Sequence, residues 1–148
     1  MTHAELTSHY APALPAVSPL QITVWSGRVL SAAVIAFMLF DAAIKLPPRY
    51  EVTETMAHLG FFATPELARG LAVLALLCAA LYAWPRTAIL GAILLTGYFG
   101  GAMAIHLRAD SPLFSHLLFG FYLGVMTWGG LFLRDARVRA FLFPFFSK

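Results

Sequence analysis

Charge is scarce in this sequence. Asp, Glu, Lys and Arg together make up 11% of its 148 residues, whereas a water-soluble domain carries about 25%. Apolar residues make up 60%, and mean hydropathy is +0.78. So little charge does not solvate a globule of this size, and a membrane protein is the first reading. Cysteine is nearly missing too. Cys78 stands alone, which excludes an internal disulfide, a CxxC redox pair and a cysteine-based zinc site. It lies in an apolar run, as a small buried or lipid-facing residue would. The first 20 residues contain no Lys or Arg, are broken by Pro12, Pro15 and Pro19, and hold no continuous apolar stretch. They read as a flexible tail over residues 1–21 rather than a signal peptide. The net charge of +3 is small and its basic residues are scattered. They are better read as membrane topology and headgroup contacts than as a nucleic-acid surface.

Against these absences stand four apolar segments, at residues 22–46, 64–85, 86–107 and 111–133. A spanning helix needs about 20 residues, since each adds about 1.5 Å against a hydrocarbon core of about 30 Å. All four segments reach that length. Pro47 and Pro48 stop the first. Thr64-Pro65 and Ser111-Pro112 read as helix starts, a capping hydroxyl followed by proline at the first helical position. The links at "WPR" and "LRADSP" are so short that the helices they join must be antiparallel neighbours. Between the first and second segments, "EVTETMAHLG" places Val52, Met56 and Leu59 on one helical face and Glu51, Thr55 and His58 on another. Gly60 is suited to the C-terminal cap. The expected architecture is all-α: an integral-membrane four-helix bundle, up-down-up-down, over residues 22–133. A short amphipathic surface helix joins helices one and two, and a basic, aromatic tail over residues 134–148 lies in the opposite interface.

Four spans put both termini on one side, with Arg28, Arg86, Arg134, Arg137, Arg139 and Lys148 there. Lys45, Arg49, Arg69 and Arg108 fall on the other side. The positive-inside rule then favours cytoplasmic termini, and Trp25, Trp84 and Trp128 map to the terminus side as an aromatic belt would.

The opposite end gathers ionisable groups from distant parts of the chain. They are Asp41 and Lys45, Glu66 and Arg69, His106, Arg108 and Asp110, and His116, with His58 nearby. Asp41 lies about 6 Å deeper than Lys45, and a lone carboxylate at that depth must pair or be protonated. Lys45, at i+4, is the local partner, and Arg108 an interhelical one. We expect Asp41, Lys45, His106, Arg108 and His116 to line a polar vestibule opening outward. The blander readings are snorkelling charges for Arg49, Arg69 and Glu66, a structural ion pair for Asp41–Lys45, and hydrogen-bonded helix-end histidines. His106 and His116 are the candidates for metal or haem, and also for acid/base catalysis together with Asp41. No HxxxH or HExxH spacing supports a metal site. Gly97 and Gly101, and likewise Gly120 and Gly124, form GxxxG steps that would let helices approach closely or mediate a homo-oligomer. Tyr98 and Tyr122 fall near mid-membrane, where each hydroxyl needs a partner: each other, a ligand, or simply the core.

The stretches "FDAAIKL", "PRTAILGAILLTGYFGGAMAIHLR" and "FYLGVMTWGGLFLRD" resemble the DoxX-like family of small four-helix bacterial membrane proteins, over roughly residues 25–143. The matching positions are Asp41, Lys45, Pro85, Arg86, Gly91, Gly97, Tyr98, Gly100, Gly101, His106 and Arg108. The resemblance implies an inner-membrane bundle, and it implies a link to redox systems. The family is named for similarity to a small subunit of a thiosulfate:quinone oxidoreductase. The lack of a CxxC departs from redox members of the wider superfamily and speaks against thiol chemistry. Three functions follow as expectations. The first is a protein that binds a quinone-like or lipid-like molecule in the bilayer, accessory to a membrane redox partner, with Asp41, Lys45, His58, Tyr98, His106, Arg108, Asp110 and His116 as ligand contacts. The second is a membrane-embedded isomerase or oxidoreductase working through His106 or His116, with haem or a metal as its candidate cofactor. The third is an assembly partner without a pocket. A transporter is the least supported, since four spans are few and no inverted repeat is evident.

Overall fold

The computed structural model describes residues 18–47, 50–60, 64–112, 114 and 118–146, with only the backbone of residues 19 and 142–146. These residues form six helices and no strand: α1 (Pro19–Lys45), α2 (Tyr50–His58), α3 (Pro65–Ala83), α4 (Ala88–Arg108), α5 (Phe119–Arg134) and α6 (Ala136–Phe146). Three of them, α1, α3 and α4, are long and apolar enough to cross a membrane.

Local chemistry fixes most helix ends. α1 starts three residues before the sequence expectation. Ser18 and Gln21 form a reciprocal capping box there, and Pro19 takes the first helical position. Thr64 caps α3 through a 3.3 Å bond from the Leu67 amide, again with proline next. α2 forms as read from its pattern, with Met56 buried and Glu51, Thr55 and His58 exposed. Gly60 follows at φ 77°, and its amide bonds the Ala57 carbonyl.

The end of α4 differs from the expectation. Asp110 sits at φ 54°, its amide bonds the Leu107 carbonyl, and the Ser111 amide bonds the His106 carbonyl. This is a Schellman closure, with an aspartate where glycine is usual. The Ser111 amide thus helps to close α4, and the helix start expected at Ser111-Pro112 runs into residues outside the described ones. α5 itself has 16 residues, about 24 Å of rise.

α1 packs against α3 and α5, and α4 packs against the same two helices. The packed faces are narrow and rich in small residues. On α1 the buried stripe is Gly27, Ser31, Val34, Met38 and Ala42; on α3 it is Ala68, Ala72, Ala75, Cys78, Ala79 and Tyr82. Away from these stripes Val29, Val73, Leu77, Ile93 and Val125 are each more than half exposed. Helices apolar on the inside and outside alike are matched to lipid, where close van der Waals packing rather than water exclusion joins them.

Glycine sets the closest approaches, though not at the expected steps. A Cβ on Gly91 would strike the Tyr82 backbone, one on Gly27 would meet the Arg134 amide at 2.6 Å, and one on Gly130 would meet the Ser31 hydroxyl at 2.7 Å. Of the two GxxxG steps only Gly120 is crowded, against Met103 at 2.7 Å. A Cβ on Gly97, Gly101 or Gly124 would meet no described atom within 4 Å.

One polar knot ties this core. The Tyr82 hydroxyl, fully buried, donates to the Thr127 carbonyl at 2.8 Å and bonds the Ser31 hydroxyl at 2.9 Å. It thereby joins α3, α5 and α1. Arg134 lies over the Tyr82 ring at 4.8 Å and donates to the Tyr82 carbonyl at 2.8 Å. The other arginines of "RDARVR" also serve chain ends: Arg137 donates to the Pro85 carbonyl at 2.6 Å, and Arg139 donates to those of Phe132 and Leu133 at 3.0 and 2.7 Å. Cations on terminal carbonyls match the negative end of the helix dipole.

Two predictions follow from this packing. Gly91→Leu drives a side chain into backbone and lowers stability by about 1–3 kcal/mol. Gly124→Ala, with open space around it, is neutral or stabilising by up to about 1 kcal/mol. Thermal unfolding of the two variants in detergent checks the contrast. Hydrogen bonds from Arg137 hold the Asp135 carboxyl below its usual range. The stabilisation is therefore present at neutral pH and is lost as pH falls through the carboxylate range. Asp135→Asn should flatten the melting-temperature decline between about pH 7 and pH 3.

Candidate functional site

The ionisable end resolves into one tight network and several separate contacts. Asp41 and Lys45 are one helical turn apart on α1. Their pair is bidentate, with Lys45 Nζ at 2.7 Å from both carboxylate oxygens. Tyr98 reaches them from α4. Its hydroxyl donates to Asp41 Oδ2 at 2.9 Å and accepts from Lys45 Nζ at 3.1 Å. All three side chains are partly buried. Tyr98 thus spans α1 and α4 as Tyr82 spans α3 and α5. Tyr122, 45% exposed, shares no hydrogen bond with Tyr98.

Beside the network lies a cavity of about 460 Å³. Its walls are mostly apolar: Leu71, Leu74 and Cys78 from α3, Leu94 and Ile105 from α4, and Met56 with Leu59 from the α2 region. Lys45, Tyr98 and His106 supply its polar groups, with His106 about two turns from Tyr98 along α4. Gly97 and Gly101 form part of the wall and are exposed, so the cavity opens between α3 and α4 toward the apolar exterior. The volume lies in the usual range for small-molecule sites, roughly 300–1,000 Å³.

The remaining candidates separate. His106 Nδ1 pairs with the Ser111 hydroxyl at 3.0 Å, which holds the ring at the cavity's edge. Arg108 does not reach Asp41. It donates to the Gly60 carbonyl at 3.3 Å, which joins α4 to the turn after α2. Asp110 closes α4 through its backbone and is exposed, and His58 is exposed on α2. Neither lines the cavity. His116 and Arg49 lie outside the described residues. Glu66 and Arg69 are exposed at the start of α3. Among the described residues, no three His, Cys, Asp or Glu side chains gather as a metal site would require.

The sequence reading missed two features of this site. It assigned Gly97 and Gly101 to helix packing, whereas they leave one wall of the cavity low. It read Cys78 as a small buried or lipid-facing residue; Cys78 is buried, and it also lines that cavity from the opposite helix. Tyr98, Ala102 and His106 follow one another at i, i+4 and i+8 on one face of α4, with Gly97 and Gly101 on the adjacent row. Small residues beside a tyrosine and a histidine fit a lined groove as well as a contact stripe.

The model of the DoxX-like family matches residues 29–130. No curated protein and no solved structure gives a significant match. The matched region contains Asp41, Lys45, Tyr98, His106 and the cavity walls, and it runs from α1 into α5 over more than half of the chain. With three helices long and apolar enough to cross a bilayer, the chain is a small membrane protein and belongs to the DoxX-like family.

Proposed function

We propose that this protein binds a quinone-like or lipid-like molecule in the cavity between α3 and α4, as the ligand-holding accessory of a membrane redox partner. The observation that carries the reading is the cavity's lining. Leucine, isoleucine, alanine and glycine make up most of it, and Lys45, Tyr98 and His106 add a few polar groups. An amphiphile with a polar head and an apolar tail matches such a lining. The opening at Gly97 and Gly101 supports entry from the bilayer. In this reading a membrane partner supplies or removes the electrons. In the same reading α5, with the turn before it, completes a four-span up-down bundle in the bacterial inner membrane, with both termini cytoplasmic. The packing of α1 and α4 against both α3 and α5 supports that arrangement.

Haem and metal fit the residues less well. Among the described residues His106 is the one histidine on the cavity wall, and its Nδ1 is engaged by Ser111. The same histidine favours a second reading, an acid/base enzyme acting on the bound molecule, since imidazole moves protons near neutral pH. An assembly partner without a pocket is less well supported, because an open cavity costs packing that such a role does not need.

Because a Cβ at Gly101 meets no described atom, Gly101→Leu should fill the cavity without disturbing the helices. Titration with a short-tailed quinone should raise the melting temperature of the wild-type protein. In Gly101→Leu the half-saturation concentration should increase by about tenfold or more, with helicity unchanged. Equal shifts in both proteins would place the binding elsewhere.

A further inference from the structure

The hydrogen bonding of Lys45 bears on which head group the cavity accepts. A lysine ammonium has three N–H bonds and no lone pair. Lys45 has three acceptors within the chain: the two carboxylate oxygens of Asp41 and the Tyr98 hydroxyl. The Tyr98 proton is in turn engaged by Asp41. Lys45, the one Lys or Arg among the described residues of the cavity wall, is therefore neutralised and has its donors taken. A carboxylate or phosphate entering here would meet no uncommitted donor on Lys45 or Tyr98, and would lie close to the Asp41 charge. Burying an anion on such terms is costly. An uncharged hydroxyl avoids that cost. The Tyr98 oxygen, on the cavity wall, accepts from Lys45 and keeps a second lone pair for such a hydroxyl.

We propose that the Asp41–Lys45–Tyr98 network makes this cavity selective for uncharged, hydroxyl-bearing amphiphiles over anionic ones, with Asp41 as the residue that sets the preference. The inference rests on the ligand-binding reading above and narrows it to one head-group class. A reduced quinone and a long-chain lipid alcohol share that chemistry. Asp41 itself is not on the cavity wall. It acts by occupying Lys45, so removing its charge should free a cation for anions to pair with.

The test uses the full chain in a neutral detergent with three probes: dodecanol, a short-tailed hydroquinone kept reduced, and dodecanoate. Thermal stabilisation is titrated for each, with Gly101→Leu as the filled-cavity control. At least one hydroxyl probe should half-saturate the wild-type protein at about tenfold lower concentration than dodecanoate, and the tighter of the two identifies the source. In Asp41→Asn the order should reverse. If that variant does not fold, Tyr98→Phe, which frees one Lys45 donor, should narrow the preference instead. Dodecanoate binding the wild-type cavity as tightly as the hydroxyl probes would overturn the selectivity and leave the ligand reading intact. Three probes that stabilise wild type and Gly101→Leu alike, or not at all, would overturn both.

Discussion

An ion pair set among apolar helices has to satisfy its hydrogen bonds within the protein, because neither lipid nor packed side chains replace the lost water. Asp41 and Lys45 meet that demand by adjacency on one helix and by borrowing the Tyr98 hydroxyl from another. The third member turns a local pair into a strut between α1 and α4. Because Lys45 and Tyr98 line the cavity, the groups that satisfy the charge also define what a ligand meets there. Electrostatic necessity and site chemistry are, at this position, the same set of bonds.

Tyr82 makes the corresponding strut between α3 and α5, with Ser31 completing it from α1. The two tyrosines differ in their surroundings. Tyr82 is sealed, crowded by Gly91 and covered by Arg134. Tyr98 is half-buried and faces open space beside Gly97 and Gly101. One end of the assembly is thus closed and tied down by arginines on helix carbonyls. The other keeps a groove along α3 and α4, partly covered by Met56 and Leu59. This asymmetry is what a small membrane protein needs if half of it is scaffold and half is binding surface.

How much of this could be read from residues alone depended on the range of the interaction. Capping at Thr64, the stop after Lys45, the amphipathic face of α2 and the Asp41–Lys45 pair all act within one or two turns, and each was legible. Interhelical partners were not. Arg108 has the charge to seek Asp41, yet the turn at Gly60 offers a nearer carbonyl. A GxxxG step records only that a surface is small. Whether a neighbour fills it depends on helix rotation, and at Gly97 and Gly101 none does. The left-handed backbone at Asp110, with the Ser111 amide bonded to the His106 carbonyl, closes α4 without the usual glycine, so no residue type announced it. Tyr82 was hidden for a plainer reason: its partners Ser31 and Thr127 lie 51 and 45 residues away.

A cavity with an apolar lining and few polar groups should not remain empty in a membrane. The most direct measurement is native mass spectrometry of the wild-type protein and the filled-cavity variant, both extracted gently from membranes. The account predicts a bound, uncharged amphiphile on the wild type that is lost from the variant. Bare protein in both cases, or the same molecule retained on both, would contradict it.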